Sequence, residues 1–202
     1  MIDGAAALEC LREGNRRFVE KQTVATPDSH QERRNALVSG QEPFAIVLGC
    51  SDSRVPAELV FDQGFGDLFV IRVAGNIVAP SQVGSVEFAA ARFDTRLVVV
   101  MGHSQCGAIV ATVEELLGEA PAESRNLRSI VDRVKPSVQS VLAGGKSIDK
   151  DTLVDEAVRA NVRASVDHLL HGSELLEELV RTDGLLVVGA EYSLETGIVT
   201  FL

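Results

Sequence analysis

Segments of continuous apolar residues alternate along the chain with segments in which apolar residues recur every three or four positions. Continuous apolar runs in FAIVLG (44–49), DLFVIRVAG (67–75) and RLVVVMG (96–102) predict buried strands. Two more strands are predicted in LLVVGAEYS (185–193) and GIVTFL (197–202), and the polar residues between them favour a hairpin. Strands that alternate with helices indicate an α/β fold, with a central, mostly parallel β-sheet, one antiparallel edge strand and flanking helices.

The helical segments are recognised by apolar residues that recur every three or four positions. They are predicted at about 4–20, 30–39, 81–93, 105–117, 125–142 and 150–181, and the last is expected to break near HGS (171–173). A length of 202 residues suits one domain with a substantial core. We therefore predict a single domain over residues 1–202, divided into an N-terminal helical arm (1–40) and an α/β core (41–202).

Charge and composition exclude several classes of partner. The formal net charge of −10 argues against nucleic acid and anionic membranes, because phosphate binding needs a concentrated positive field. No apolar run approaches the roughly 18 residues that span a bilayer, and the N-terminus lacks the pattern of a signal peptide. These features predict a cytoplasmic location. Cytoplasmic thiols are normally reduced, so the three cysteines favour metal binding or catalysis over disulfides.

Three metal-binding side chains follow two of the predicted strands. Cys50 comes directly after FAIVLG, and His103 directly after RLVVVMG. Since the carboxyl ends of parallel strands meet at one edge of a sheet, we expect Cys50 and His103 to lie close together. Cys106 is three residues beyond His103, on the same face if a helix begins there. Two thiolates and an imidazole form a tetrahedral zinc site with an open fourth position, which is typical of a catalytic centre.

An acid and a fixed cation lie within the same short segment, CSDSR (50–54). Asp52 is near enough to Cys50 to approach the same metal, while Arg54 can hold its carboxylate in a bidentate ion pair. In the first arrangement Asp52 fills the fourth metal position; in the second that position is left for water. A phosphate-binding loop is disfavoured, because the negative charge of Asp52 would repel phosphate.

The motifs CSDSRVPAE (50–58), GDLFVIRVAGN (66–76) and GHSQCGA (102–108) resemble those of the β-class carbonic anhydrases, and the resemblance extends over nearly the whole chain. It implies reversible hydration of carbon dioxide to bicarbonate and a proton by zinc-bound hydroxide. It implies one Zn2+ per subunit on Cys50, His103 and Cys106, with Asp52 and Arg54 as orienting dyad and gate. It also implies a homodimer, often paired into a homotetramer, with the first helix wrapping a neighbour.

Further residues are assigned a role by the same resemblance or by their neighbours. Gln41 and Gly107 are predicted to contact the substrate. Phe61 and Val83 are candidates to line an apolar slot for carbon dioxide. Cys10 lies among apolar residues of the first helix and is predicted to be a packing residue.

A second anion pocket is expected to be lost. Family members that bicarbonate regulates form this pocket from a tryptophan, an arginine and a tyrosine. Arg72 and Tyr192 match the last two positions, but Val47 stands at the tryptophan position and the chain contains no tryptophan. We therefore predict that bicarbonate regulation through this pocket is absent or weak.

Two other functions remain open on the sequence alone. Hydrolysis of carbonyl sulfide or carbon disulfide would use the same zinc ligands, with a differently shaped substrate pocket. A non-catalytic zinc-binding regulatory module is the other alternative, and the Asp52/Arg54 pair argues against it, because a structural zinc site has four protein ligands and no gate.

Overall fold

The protein is described by a computed structural model that covers residues 2–24, 27–120, 124–144 and 148–202, with the backbone alone at 27–30. The helices are α1 (Gly4–Val19), α2 (Pro27–Ala36), α3 (Ala57–Val60), α4 (Pro80–Arg92), α5 (Gly107–Leu116), α6 (Arg125–Ala143), α7 (Lys150–His171) and α8 (Glu174–Thr182). The strands are β1 (Ala45–Gly49), β2 (Leu68–Arg72), β3 (Leu97–His103), β4 (Leu186–Tyr192) and β5 (Val199–Phe201). The predicted break near residues 171–173 is confirmed, since α7 ends at His171 and α8 starts at Glu174.

The five strands form one sheet in the order β2-β1-β3-β4-β5. The first four are parallel, so that Val47 of β1 pairs with Val70 of β2 on one side and with Val99 of β3 on the other. Strand β5 runs antiparallel to β4, as the predicted hairpin requires. The predicted fold class, a mostly parallel sheet with one antiparallel edge strand and flanking helices, is confirmed.

Each face of the sheet has its own hydrophobic core, because successive side chains of a strand point to opposite faces. Val47 and Val99 belong to the cluster that packs against α1 and α3. Leu48 and Val100 belong to the cluster on the other face, which packs against α4, α7 and α8. Strands β1 and β3 are buried on both faces, which explains their continuous apolar sequence.

Helix α1 packs against the sheet of its own chain. Leu11 is fully buried there, and burial of such a side chain stabilises the folded state by about 2 kcal/mol. The Asn15 side chain donates to the carbonyl oxygens of Val60 and Gly197 (3.0 and 2.9 Å) and accepts from the Val199 N–H (2.9 Å). The proposed division into an arm and a core at residue 40 stays a prediction.

Cys10 is exposed on α1, so the prediction that it is a packing residue is wrong. The buried stripe of this helix runs through Ala7, Leu11 and Gly14, and Cys10 lies outside it. Within the described residues, no helix is both long and apolar enough to cross a membrane.

A third core cluster closes the carboxyl end of the sheet. It contains Cys50, Cys106 and Ile77, together with apolar residues of α5, α6 and the first half of α7. Strands β1 and β3 therefore end in an apolar environment rather than in open solvent. Polar groups at this edge are withdrawn from water, which strengthens the electrostatic interactions among them.

Candidate metal centre

Three donor side chains meet at the carboxyl edge of the sheet. Cys50 follows β1, His103 is the last residue of β3, and Cys106 is the N-cap residue of α5. One ligand atom from each lies within 4.8 Å of those of the other two, and all three residues are buried. The Cys50 and Cys106 sulfur atoms are 4.0 Å apart and both thiols are free. The predicted convergence of the three residues is confirmed.

The reason given for the approach of His103 to Cys106 was wrong. The two residues do not share a helix face, because His103 still belongs to β3 and α5 begins only at Gly107. A tight turn joins them, and Gln105 in that turn has a left-handed backbone with φ of 55°. Ser104 anchors the turn, since its N–H donates to the Tyr192 carbonyl (3.0 Å).

The orientation of the His103 ring leaves one nitrogen free to bind a metal. Nδ1 lies 2.9 Å from the carbonyl oxygen of Ser104, and since a carbonyl can only accept, Nδ1 carries the proton. Nε2 then holds the lone pair. It is buried and has no hydrogen-bond partner among the described residues. An unpaired buried nitrogen is costly, and a metal ion would satisfy it.

The contact between the two thiols shifts their pKa values in opposite directions. The Cys106 thiol donates to Cys50 and lowers the pKa of Cys50 to about 4. The same contact, together with burial, raises the pKa of Cys106 above its ordinary value. Burial lowers the pKa of His103, but the Cys50 sulfur, the Ser104 carbonyl and the Asp52 carboxylate together raise that pKa above its ordinary value. Two thiolates this close would repel each other, and a divalent cation between them removes that repulsion.

The donor set fits a tetrahedral ion of the size of zinc. With zinc–sulfur bonds of about 2.3 Å, tetrahedral geometry places two sulfur ligands about 3.8 Å apart. The observed separation of 4.0 Å between Cys50 and Cys106 is close to that value. Together with Nε2 of His103 the sulfur atoms supply three ligands, and a fourth position stays available.

Asp52 lies beside the donor cluster and is held by Arg54. The Arg54 guanidinium donates from Nε to Oδ1 (2.9 Å) and from Nη2 to Oδ2 (2.8 Å), and its backbone N–H also donates to Oδ1 (2.9 Å). These bonds hold the pKa of Asp52 well below its usual range. Oδ2 of Asp52 is 3.8 Å from Nε2 of His103, so the carboxylate borders the metal cluster.

Arg72 fixes the backbone of the same loop. Its Nε donates to the Cys50 carbonyl (3.0 Å) and its Nη2 to the Asp52 carbonyl (2.5 Å). Val47, which stands at the tryptophan position of the second anion pocket, and Tyr192, which matches its tyrosine, are buried in one core cluster. The guanidinium is thus already engaged by the protein's own carbonyl groups.

The residues assigned to the substrate lie apart from one another. Gly107 is next to Cys106 at the start of α5, and apart from its chain neighbours and its own helix backbone no described atom lies within 4 Å of where a Cβ would stand. Gln41 is exposed and lines a separate surface hollow with Phe65 and Phe93. Phe61 and Val83 belong to core clusters on opposite faces of the sheet. The predicted apolar slot between those two side chains is therefore absent within this chain.

Sequence reasoning missed several contacts that support Cys50. The Gly75 N–H donates to the Cys50 sulfur (3.3 Å), and the Gly75 carbonyl accepts from Asn161 of α7 (2.8 Å). Ser165, one helical turn after Asn161, donates to the Asn76 carbonyl (3.1 Å). The available signal was a pair of polar residues four positions apart on an otherwise apolar helix face.

The fold and the site define a class: an α/β protein with a Cys-His-Cys cluster, in the geometry of a metal site, at the carboxyl edge of its sheet. Comparison with known proteins gives the family. Residues 45–199 match the family described as carbonic anhydrase. Carbonic anhydrase 2 of Mycobacterium tuberculosis is 38% identical over 192 residues, 95% of this chain and 89% of the relative. The carbonic anhydrase of Mycolicibacterium smegmatis is 40% identical over 193 residues, 95% of this chain and 90% of the relative.

Solved structures agree with this assignment. The β-carbonic anhydrase CafA of Aspergillus fumigatus has a TM-score of 0.78 and 27% identity, and the match covers 98% of this chain and 89% of that one. A tetrameric β-carbonic anhydrase of Sordaria macrospora has a TM-score of 0.77 and 26% identity, with coverage of 87% and 89%. The chain belongs to the carbonic anhydrase family, in its β class, and is therefore a lyase.

Proposed function

We propose that the chain catalyses the reversible reaction of carbon dioxide with water to give bicarbonate and a proton, with one zinc ion per subunit. Cys50, His103 and Cys106 would hold the ion. When bound, zinc supplies the Lewis acidity that makes water a nucleophile near neutral pH. The observation that carries the proposal is the unpartnered Nε2 of His103, which is buried beside two free thiols and next to a restrained carboxylate.

Asp52 would orient the nucleophile. Because Arg54 keeps the pKa of Asp52 low, the carboxylate stays ionised and acts only as a hydrogen-bond acceptor at neutral pH. An acceptor at this position would receive a hydrogen bond from the attacking oxygen nucleophile, and this bond would direct the lone pair of that nucleophile towards the carbon of carbon dioxide. The pairing with Arg54 also engages both carboxylate oxygens of Asp52, which keeps the fourth metal position for the reaction.

The substrate contacts are proposed for Gly107 and Gln41. Gly107 adjoins Cys106 and has open space beside it, which suits a small linear molecule near the metal. Gln41 could reach a substrate only if another subunit brought it there, since it lines a hollow that contains none of the three ligands. Val38 and Phe65 of that hollow are 85% and 51% exposed, and exposed apolar residues of this kind favour an interface.

We accordingly propose a homodimer that can pair into a tetramer; the similar β-carbonic anhydrase of Sordaria macrospora is described as tetrameric. A cytoplasmic location is proposed on the chemistry of the ligands. Cys50 and Cys106 must remain reduced to bind a metal, and a reducing compartment keeps them so. Light scattering after size-exclusion chromatography gives the subunit number directly.

Stopped-flow measurement of carbon dioxide hydration by the zinc-loaded protein tests the function. Wild type and Cys10→Ser are expected to contain one zinc per chain and to be equally active, since Cys10 is exposed on α1. Cys106→Ser is expected to lose both zinc and activity. Carbonyl sulfide and carbon disulfide are assayed in parallel.

Zinc-loaded wild-type protein that hydrolyses either sulfur compound but does not hydrate carbon dioxide would contradict the proposed substrate. Protein that binds zinc and turns over none of the three would contradict a catalytic role for the centre.

A further inference from the structure

We infer that Asn161 and Ser165 of α7 are positioning residues of the metal centre, which act on Cys50 through the turn at residues 74–76. The inference rests on the proposed function, because it takes Cys50 to be a metal ligand. Each residue donates a hydrogen bond to a backbone carbonyl of this turn. Their effect passes through backbone groups of Gly75 and Asn76.

The first step is the bond that the turn makes to the metal ligand. The backbone N–H of Gly75 donates to the Cys50 sulfur at 3.3 Å. A hydrogen bond to a thiolate withdraws electron density from the sulfur and fixes the direction of its lone pairs. Hydrogen bonds of this kind tune the metal and orient the ligand.

The second step is the conformation that aims this N–H. Gly75 and Asn76 both have left-handed backbones, with φ of 69° and 42°. A Cβ on Gly75 would lie 3.0 Å from the Cβ of Ala108 and 3.4 Å from Cγ2 of Val134, so the turn is pressed closely against α5 and α6. Asn76 has a Cβ atom, so its left-handed backbone conformation carries an energy cost that contacts with the surrounding structure must offset.

The third step is the support that α7 provides. Asn161 donates from Nδ2 to the Gly75 carbonyl at 2.8 Å, and Ser165 donates from its hydroxyl to the Asn76 carbonyl at 3.1 Å. Both side chains are almost completely buried, with exposures of 3% and 5%. One helix face thus holds two successive peptide groups, and the peptide just before them carries the N–H that reaches Cys50. Loss of either bond leaves a buried carbonyl unpaired and lets the turn rotate.

The experiment uses the full-length protein with Co2+ in place of zinc and compares wild type with Asn161→Ala, Asn161→Asp and Ser165→Ala. Thiolate ligation to cobalt gives a sulfur-to-metal charge-transfer band. Loss of the Gly75 hydrogen bond makes the sulfur more electron-rich, so the band is expected to move to longer wavelength in both Asn161 variants. The affinity for Zn2+, measured by chelator competition, is expected to fall about 10- to 100-fold.

Two comparisons separate positioning from general destabilisation. Leu169→Ala opens a cavity on the same helix, in a core cluster that excludes residues 74–76, and is expected to lower the melting temperature with the band unchanged. Ser165→Ala removes one oxygen atom and is expected to shift the band in the same direction by less than the Asn161 variants. If the Asn161 variants do not fold, Ser165→Ala decides the question.

An unshifted band and wild-type zinc affinity in the folded variants would overturn the role of Asn161 and Ser165. So would a shift of equal size in Leu169→Ala. If wild-type protein itself shows no thiolate-to-cobalt band, the ligand assignment of the proposed function fails instead, and the two failures are thereby distinguished.

Discussion

Arg54 and Asp52 form an ion pair with two side-chain hydrogen bonds beside the Cys50, His103 and Cys106 cluster, with Nε to Oδ1 at 2.9 Å and Nη2 to Oδ2 at 2.8 Å. The same Oδ2 atom lies 3.8 Å from Nε2 of His103. A carboxylate in this place has two competing partners, the guanidinium and a metal cation. In the proposed mechanism, the guanidinium therefore decides whether Asp52 serves as an acceptor for the reacting water or as a fourth metal ligand.

Removal of the guanidinium tests this choice. Arg54→Ala is expected to reduce carbon dioxide hydration about 100-fold or more while zinc stays bound, because the freed carboxylate can close on the metal. Arg181→Ala is the matched control, since Arg181 forms an ion pair with Glu178 on the surface of α8. Stopped-flow rates and zinc content are measured together. Wild-type activity in Arg54→Ala would contradict both the orienting and the gating role of the pair.

Bicarbonate should act on this protein as a substrate only. Arg72 donates to the carbonyl oxygens of Cys50 and Asp52, and Val47 is fully buried where regulated family members have tryptophan. Two of the five guanidinium N–H groups are thus already used by the protein's own carbonyl groups, and no tryptophan is available to complete the pocket. The initial rate of bicarbonate dehydration is expected to rise hyperbolically with concentration. A sigmoidal dependence, or inhibition at high bicarbonate, would show that the second pocket works.

The N-terminus of α7 supplies a pH-dependent contribution to stability. Asp149 caps this helix by accepting from the backbone N–H and the hydroxyl of Thr152 (2.9 and 2.8 Å), and chiefly the backbone bond lowers the pKa of Asp149. The charged form is favoured in the folded state. Its contribution is therefore present above the ordinary aspartate pKa of about 3.9 and is lost as the pH falls through the folded-state value.

Calorimetry of Asp149→Ala measures this contribution. The melting temperature is expected to drop by about 2–4 °C at pH 7, and the difference from wild type is expected to shrink below about pH 4. Asp151→Ala removes the same charge from the first turn of α7 without removing the cap, and a smaller drop is expected. A deficit in Asp149→Ala that does not change with pH would refute the linkage.

Two helical glycines differ in the space around them, and this difference tests the packing of α1. A Cβ on Gly14 would stand 1.8 Å from the Phe61 carbonyl oxygen, whereas a Cβ on Gly84 in α4 meets no described atom outside its own helix backbone and chain neighbours within 4 Å. Gly14→Ala is expected to lower the melting temperature by about 10 °C or more, because α1 must move away from the backbone that follows α3. Gly84→Ala is expected to raise it by about 2 °C through helix propensity. Equal effects of the two changes on thermal unfolding would mean that α1 is not seated as described.

Much of the centre could be predicted because it depends on strand order alone. Parallel strands deliver their carboxyl-end residues to one edge, so Cys50 and His103 were placed together correctly across 53 positions of sequence. Cys106 was also placed correctly, but by a helical spacing that the structure does not contain. Instead, the turn that contains the left-handed Gln105 brings Cys106 next to His103. Short-range geometry at a strand-to-helix junction depends on individual backbone angles, which the residue pattern does not specify.

Other features could not be predicted because they arise from contacts between distant segments. The bond from Asn161 to Gly75 joins residues 86 positions apart, and it depends on how α7 lies across the sheet. The side on which Phe61 and Val83 lie also depends on this packing, which is why the expected slot between them was wrong. Cys10 was misplaced because the buried stripe of α1 is narrow, and one position along the helix turns a side chain by about 100°.

X-ray absorption at the zinc K-edge of the purified protein tests the central claim most directly, because it identifies the ligand atoms themselves. The account predicts one zinc per chain with two sulfur neighbours at about 2.3 Å and one imidazole nitrogen at about 2.0 Å. In Cys106→Ser, any zinc that remains should show one sulfur neighbour. A protein without stoichiometric zinc, or a spectrum with only oxygen and nitrogen neighbours, would contradict the assignment of Cys50, His103 and Cys106 as the metal centre.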